Sequence, residues 1–499
     1  MLSFVDTFLN KITMYRLVLQ YLMVLLGAAA IASLFGLLSF SFFDLIFSTA
    51  IILATCWISN AVFARGFGAA RNVESAYITG FILALIVSPV APSDGAGVGF
   101  LIFVSAWAMA SKYIFAIGKK HIFNPAAFGV ALGALMLGQS ATWWVASSTV
   151  LMPLVVIGGF LVVHKIRRFD LVAAFSVVAL TAVVATSSSG GALTHLAQTV
   201  LYSPFSFLTL VMLTEPLTMP PSRFLRVGYA AIVGVLFGSL YLSPELALLV
   251  GNIFVYIVSP KRRFILTLVE KNKIADATYE FVFAPDHALS FRPGQYLEWT
   301  LGHPAADNRG NRRFFTIASS PTEKTVRLGV KFYAPESSFK QALLAMQPDD
   351  TISAAQVAGD FVMPRDKKKK LVFIAGGIGV TPFRSMVQYL IDTKEERAVT
   401  LLYSNKTVNE VAYKDVFDQA KREIGMKTVY AFTDEPNPVP NAHNGFIDRA
   451  LIEREVPDYK ERVFYISGPH GMVVAFKKTL SDMGVSRFNI KTDYFPGFA

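Results

Sequence analysis

Charge is nearly absent from the first half of this 499-residue chain. Residues 1–260 hold 12 of the 46 Lys and Arg and 7 of the 35 Asp and Glu; residues 261–499 hold the other 34 and 28. An average soluble domain is about a quarter charged, so residues 1–260 are not a water-soluble globule. Crossing a bilayer takes about 20 apolar residues. Ten runs approach that length: 15–38, 45–63, 74–89, 97–115, 124–138, 143–164, 171–186, 203–220, 227–242 and 245–260. The expected architecture is multidomain: a polytopic α-helical membrane domain over 1–260, then a soluble region long enough for two domains.

The basic residues orient this body. All 12 fall in or beside alternate connections: Lys11 and Arg16; Arg65 and Arg71; Lys112, Lys119 and Lys120; Lys165, Arg167 and Arg168; Arg223 and Arg226. The intervening connections, near Asp44, Asp94, Gln139, 187–202 and Ser243, hold none. Basic residues stay on the cytoplasmic side. The N-terminus is therefore expected inside, and ten spans return the chain there, where Lys261, Arg262 and Arg263 follow. That is a multi-pass protein of the inner (cytoplasmic) membrane with both termini in the cytoplasm, in contact with membrane lipid. Residues 1–16 lack a cleavable signal pattern. The net charge of +11 is explained by membrane-flanking positions, not by nucleic-acid binding.

Two segments depart from plain spans. ITGFILALIVSPVAPSD (78–94) and FLTLVMLTEPLTMPPSR (207–223) run apolar and then break at Pro89 and Pro216. Non-helical backbone at membrane depth persists only where protein or a cavity covers it. Paired interruptions in corresponding halves suggest an inverted repeat with a binding site between its members; two interfacial proline kinks are the plainer alternative. Glu215 lies in the second segment, either facing a cavity or partner or snorkelling to the interface near Arg223. His121 and His164 fall near the inner face and His195 in an outer connection, which suits interfacial histidines better than haem ligands. Cys56 is the sole cysteine. That excludes an intrachain disulfide, a thiolate-held iron–sulfur cluster from this chain alone and a cysteine zinc site. No metal site is expected.

KKHIFNPAAFG (119–129) and LTEPLTMPPS (213–222) resemble signatures of the RnfD/NqrB membrane family, found in Rnf complexes and in the sodium-pumping NADH:quinone reductase. The resemblance covers about residues 15–260. It implies ten helices in two inverted five-helix repeats and a flavin in the membrane. In that family a Ser-Gly-Ala-Thr motif carries FMN through a phosphodiester to its threonine. Here Ser189-Gly190-Gly191-Ala192-Leu193-Thr194 interrupts the motif. The resemblance therefore leaves FMN on Thr194 and noncovalent flavin both open, and SSSGG reads more readily as a flexible loop than as an attachment site.

From Arg263 the period changes. FILTLVEK, TYEFVFAP, QYLEWTL, RFFTIAS and VRLGVKFY are short β-rich runs between turn residues; they predict an antiparallel β-barrel over 261–366. From Leu371 come strand, glycine turn, helix and strand in LVFIAGGIGVTPFRSMVQYL, AVTLLYSN, KTVYAFTD and RVFYISGP. Strands alternating with helices predict a parallel α/β sheet over 367–499, with the charged run Asp366–Lys370 as its solvated entrance.

Two groups carry chemistry. The first is Arg313-Phe314-Phe315-Thr316, preceded by Pro293-Gly294-Gln295-Tyr296: an arginine fork suits a pyrophosphate, and an aromatic and a hydroxyl suit a flavin ring. The second is Gly376-Gly377-Ile378-Gly379-Val380-Thr381-Pro382, after an apolar strand and before a helix, where glycines let backbone N–H groups approach a phosphate. In order with Ser467-Gly468-Pro469-His470-Gly471-Met472 and the terminal DYFPGFA, these motifs resemble the ferredoxin–NADP reductase superfamily over about 263–499. The resemblance implies an FAD barrel and an NAD(P) sheet. It places Arg313 on the FAD pyrophosphate, Phe315 on the isoalloxazine face and Thr316 near N5, with Gly294, Gln295 and Tyr296 alongside and Ser337 or Ser338 on phosphate. It places Gly376, Gly377, Gly379, Thr381, Pro382, Gly468, Pro469 and Met472 at the dinucleotide, and Phe498 (or Phe495) over the other flavin face. Ser467 stands where many members have cysteine. Positioning rather than thiol acidity is the main requirement of hydride transfer. After AVTLLY, Ser404 and Lys406 border the ribose; Lys406 suits a 2′-phosphate and equally a solvated helix start, so NADH and NADPH both stand.

The sequence thus reads as a membrane flavoprotein oxidoreductase. NAD(P)H reduces FAD, and electrons pass to a flavin or quinone in the membrane body, to an extracytoplasmic acceptor, or to other electron-transport proteins. The alternative from another class is an ion or solute transporter regulated by a redox-sensing reductase domain. A reductase merely anchored to the membrane would need one span, not ten.

Overall fold

The computed structural model describes residues 5, 9, 12–68, 73–117, 120–187, 191–220, 222–239, 242–258, 264–304, 307, 311–435 and 442–493. The chain divides into two compact units, Met1–Arg262 and Arg263–Ala499.

The first unit is helical. Its helices are α1 (Met14–Leu34), α2 (Phe42–Gly66), α3 (Val73–Ile86), α4 (Gly95–Ile114), α5 (Pro125–Leu137), α6 (Met152–Ile166), α7 (Phe169–Thr186), α8 (Ala192–Tyr202), α9 (Arg223–Gly238) and α10 (Pro244–Val258). Side-chain caps start several of them: Thr13, Ser41, Asp94, Asn124 and Ser222 each accept a first-turn N–H, satisfying donors that lack helical partners. Among the described residues, α1, α2, α4 and α7 are long and apolar enough to cross a membrane; α3, α5, α6 and α10 are apolar but shorter. The run 143–164 is not one helix, because Trp144–Ser147 and α6 are separate. The connection expected over 187–202 is largely α8, none of whose residues is buried.

Both interrupted segments find partners for their freed backbone groups. Helix α3 stops before Pro89. The Trp144 indole N–H donates to the Ala84 and Val87 carbonyls at 3.1 and 3.0 Å, and the Thr142 and Trp143 N–H groups donate to Ile86. In the second segment a π-turn over Leu208–Met212 gives way to extended backbone at Glu215 and a 3-10 turn over Pro216–Thr218. There the Asn252 amide donates to the Thr218 carbonyl at 3.3 Å, and its oxygen accepts the Asn124 N–H at 2.8 Å. The Glu215 carboxylate accepts from Asn124 at 2.9 Å and Thr218 at 3.0 Å and meets His121 at 3.3 Å. It is partnered rather than snorkelling.

The second unit has two sheets. Strands β1 (Phe264–Ala275), β2 (Thr278–Pro285), β3 (Tyr296–Thr300), β4 (Arg312–Thr316), β5 (Val326–Lys331) and β6 (Thr351–Ala358) form an antiparallel sheet in the order β4-β3-β6-β1-β2-β5. It closes around Phe281, Phe283, Leu297, Trp299 and Phe339, with α11 (Ser338–Ala345) against it. Strands β7 (Leu371–Gly376), β8 (Val399–Asn405), β9 (Lys427–Phe432), β10 (His443–Asn444), β11 (Val463–Ser467) and β12 (Ile490–Asp493) form a parallel sheet in the order β10-β9-β8-β7-β11-β12. Helices α12 (Thr381–Asp392), α13 (Lys414–Glu423), α14 (Arg449–Glu455) and α15 (His470–Asp482) complete it. Each residue of β7 is buried, as a central parallel strand covered on both faces requires.

Candidate active site

Strand order reverses between β7 and β11, and ligands of such sheets bind at that crevice, outside the carboxyl ends of the strands. The glycine turn after β7 and Ser467-Gly468-Pro469 after β11 meet there. A Cβ added to Gly379 would lie 2.6 Å from the Gly468 Cα and 2.6 Å from the Ser467 carbonyl oxygen; one added to Gly376 would lie 2.3 Å from the Met472 sulfur. The two turns therefore touch through bare backbone. Gly377 has φ +52° with open space beside it: it adopts the left-handed turn at no steric cost and leaves room for a phosphate. Thr381 and Pro382 open α12, and the Thr381 hydroxyl donates to the Ile378 carbonyl at 3.3 Å. At the end of β8, Ser404 is half-buried and Lys406 exposed. Between them, Asn405 is buried and neither of its side-chain polar atoms has a hydrogen-bond partner. An orphaned amide at the edge of this crevice, beside a backbone cradle, fits a dinucleotide.

On the barrel, β4 alternates. Arg313 and Phe315 lie opposite Trp299 and Leu297, whereas Phe314 and Thr316 lie opposite Glu298 and Tyr296. The Arg313 guanidinium is buried 5.1 Å from the Phe339 ring centroid, and one of its nitrogens donates to the Arg312 carbonyl at 2.7 Å. Phe315, expected on the flavin face, is buried near Phe339, and strand alternation puts it on the same side as Arg313. The exposed ring is Phe314, edge-on to Tyr296 at 5.7 Å. Gly294 (φ +92°) precedes them, and the Gln295 amide is fixed by the Gly359 carbonyl at 3.2 Å.

The serines expected on phosphate sit at the start of α11. Ser337 caps α11 by accepting the Lys340 N–H. The Ser338 hydroxyl accepts the Asp307 N–H and lies 2.9 Å from His303. Phe495 and Phe498, like Ser189 and Gly190, lie outside the described residues. Thr194 is exposed in the first turn of α8, away from the groups above in sequence and in a different unit.

One residue that sequence reasoning passes over joins the barrel to the sheet. Asp493 ends β12, in register with Ser467, which is itself paired with Ala375 of β7. Burial pushes the Asp493 carboxyl up to about 7, while a hydrogen bond from Thr316 pulls it back down. In DYFPGFA the aromatics draw attention in sequence, but the signal is the acid that opens it. The half-buried Asp493 thus stands between Thr316 of the barrel and Ser467 of the sheet, whose strand neighbours β7 ahead of the glycine turn.

Comparison with known proteins agrees with this geometry. Residues 373–478 match the oxidoreductase NAD-binding domain. The chain is 26% identical over 246 residues to a flavohemoprotein of Bacillus cereus, covering 47% of this chain and 60% of that one. It is 27% identical over 238 residues to the F component of the Na(+)-translocating NADH-quinone reductase of Serratia proteamaculans, covering 43% and 58%. The cytochrome b5 reductase domain of Ulva prolifera nitrate reductase superposes with TM-score 0.42 at 24% identity, covering 47% and 98%. The chain spans about three fifths of the length of the curated relatives it matches. Fold, site and sequence define the class of the C-terminal half: an NAD(P)H-dependent FAD oxidoreductase unit. It is joined in this chain to a unit containing several apolar, membrane-length helices.

Proposed function

We propose that the protein is a membrane-bound flavoprotein oxidoreductase, taking reducing equivalents from cytoplasmic NAD(P)H and passing them into its own membrane half. The observation that carries this reading is the meeting of Thr316, Asp493, Ser467 and the glycine turn, which sets a flavin-type strand against a dinucleotide-type crevice. Bound FAD would supply the step from two-electron to one-electron chemistry. Arg313 would hold its pyrophosphate and Phe315, on the same side of β4, its ring face, with Thr316 near the reacting nitrogen and Tyr296 alongside. Asn405 and the backbone of Gly377–Thr381 would hold the dinucleotide. Asp493 can retain or release a proton beside the reacting ring near neutral pH, with the Thr316 hydroxyl as its hydrogen-bond partner.

For the membrane half we take ten spans in two inverted repeats with both termini cytoplasmic, the RnfD/NqrB family, and an electron acceptor there: flavin, quinone or an extracytoplasmic partner. The interrupted segments support an inverted repeat, since each has its freed carbonyls covered by side chains from elsewhere in the unit. The Asn124 N–H and the Asn252 side chain bond across 128 positions, close to the 127 that separate Pro89 from Pro216.

The test uses the full chain in detergent. It should retain FAD and oxidise NAD(P)H with a dye acceptor, and Arg313→Ala with Thr316→Ala should lose the FAD. A folded protein without flavin, or undiminished FAD in the double variant, refutes the reading. Flavin fluorescence surviving denaturation, and its loss in Thr194→Val, would identify covalent FMN; a transporter would instead move solute in vesicles without NAD(P)H.

A further inference from the structure

The two halves of the proposed site sit on different domains, so their separation must be set by something other than either fold. The turn that leaves β4 and the helix that leaves the glycine turn are joined by a dense set of polar contacts. Glu323, in that turn, is the centre of the set. Its Oε1 accepts from Arg327 Nε at 3.0 Å and from an Arg384 guanidinium nitrogen at 3.1 Å. Its Oε2 accepts from the other Arg384 nitrogen and from the Ser320 N–H at 2.6 Å. Arg384 belongs to α12, three residues after Thr381; Arg327 belongs to the barrel, where it also pairs with Glu280 at 2.6 Å.

Other contacts follow the same line. Arg384 donates to the Ala318 carbonyl at 3.2 Å, Ser385 to the Ser319 carbonyl at 2.6 Å, and Thr322 to Asp392. A Cβ on Gly329 of β5 would lie 2.9 Å from Thr381 Cγ2 and 3.4 Å from Ile378 Cδ1, so barrel backbone abuts the glycine turn itself. Apolar packing also crosses this junction, with Ala318 and Phe361 in one buried cluster with Phe383 and Met386, but a cavity of about 350 Å³ beside it, lined by Glu280, Arg327, Arg384 and Tyr413 among others, leaves the polar contacts to fix the register. The bidentate Arg384–Glu323 pair has the geometry that fixes direction as well as distance, and it lies seven residues beyond Thr316 on one side and three beyond Thr381 on the other.

We propose that Glu323 is a positioning residue: by holding Arg384 and Arg327 together it sets the register between the flavin strand and the nicotinamide turn. This rests on the functional reading above. A misplacement of about 1 Å in such a pair costs about 10²-fold in rate, whereas binding of each cofactor, which engages one domain, is left intact.

The experiment compares the full-length protein with Glu323→Gln, Arg384→Lys and Glu323→Gln/Arg384→Gln. The readouts are FAD content, affinity for 5′-AMP, the long-wavelength absorbance of nicotinamide against flavin on adding NAD+ to reduced protein, and the single-turnover rate of flavin bleaching. The expected result is unchanged FAD and AMP binding, a weakened long-wavelength band and a rate lowered about 10- to 100-fold in Glu323→Gln. Arg384→Lys, which keeps the charge and loses the fork, should be intermediate, and the double variant no worse than Glu323→Gln because the shared interaction is lost once. A wild-type band and rate in Glu323→Gln overturn the proposal. So does a parallel loss of FAD, AMP affinity and melting temperature in both single variants, which marks a merely structural role. Wild-type protein that binds neither FAD nor AMP overturns the functional reading itself, and this inference with it.

Discussion

Replacing Gly379 by alanine tests the central geometric claim, that the two cofactor turns approach through bare backbone. The new methyl would meet Gly468 Cα at 2.6 Å, Ser467 O at 2.6 Å and Gly468 N at 2.7 Å. Carbon atoms pack best at about 3.5–4.0 Å, so the turns must part by about 1 Å. No flexible side chain can yield, because all three neighbours are backbone. Overpacking of this kind costs about 1–3 kcal/mol in stability. The larger effect is on rate, where a displacement of about 1 Å lowers hydride transfer about 10²-fold, or about 2.7 kcal/mol in barrier. The assay is stopped-flow bleaching of flavin by NADH in full-length protein, with FAD content measured alongside. FAD content should hold, since the barrel is untouched. Gly302→Ala is the matched control: it has nothing within 4 Å of its added Cβ and should leave rate and melting temperature unchanged. Wild-type bleaching in Gly379→Ala would refute the close approach, and an equal loss in Gly302→Ala would refute the steric argument.

Three other outcomes follow from particular residues. Asp493 has a carboxyl raised from 3.8 to about 7 by burial, so the folded state favours its protonated form; that contribution is complete below about pH 4 and is lost as pH rises to about 7. Melting curves at pH 5.5 and 8 should show wild type losing more stability than Asp493→Asn, and parallel losses would contradict the assignment. Around Lys406, Glu410 Oε2 accepts its N–H at 3.4 Å, Asp434 N–H meets its carbonyl at 3.0 Å, and Glu435 Oε2 accepts the Val408 N–H at 2.8 Å. Three acids beside one exposed lysine disfavour a 2′-phosphate, so the holoprotein should bind 5′-AMP at least about tenfold more tightly than adenosine 2′,5′-bisphosphate, one decade being about 1.4 kcal/mol; calorimetric titration with the two nucleotides decides it. In the membrane half, Asn252→Leu leaves the Asn124 N–H and the Thr218 carbonyl without their partners, which should cost about 1–3 kcal/mol for each group, read as earlier unfolding in a denaturing-detergent titration.

What the sequence discloses depends on whether the physics is local. The barrel strands and β7 to β9 are legible because alternation, buried β-branched runs and turn residues are local signals. So is the glycine turn, whose meaning comes from the strand before it and the helix after it. Asp493, Asn405 and Glu323 are not legible. Each is an ordinary polar residue until β12 pairs with β11, until β8 ends at the crevice, or until α12 swings Arg384 against the turn after β4. Motif position points to Phe315, and strand alternation, itself a local signal, puts it on the same side as Arg313. Helix α8 carries an apolar face, with Leu193, Leu196, Val200 and Leu201 at helical spacing, but it is short, flanked by the SSSGG run and buries no residue, so it reads as part of the connection.

The membrane half shows why length alone misjudges its segments. A helix that stops inside a bilayer leaves carbonyls that lipid cannot satisfy, so an apolar run shorter than about 20 residues is viable only with donors brought from elsewhere. Helix α3 spans 14 residues, and its end is met by the Trp144 indole and two backbone N–H groups from 142 and 143. The break at Glu215–Thr218 is met by Asn252 of α10 and Asn124 at the start of α5. The shorter helices thus have interrupted ends whose freed backbone groups are met by residues from other segments of the same unit. Such an interrupted end concentrates polar groups: the Glu215 carboxylate meets the His121 imidazole, the Asn124 amide and the Thr218 hydroxyl within 3.3 Å, and the Asn252 amide ties Thr218 and Asn124 together behind them.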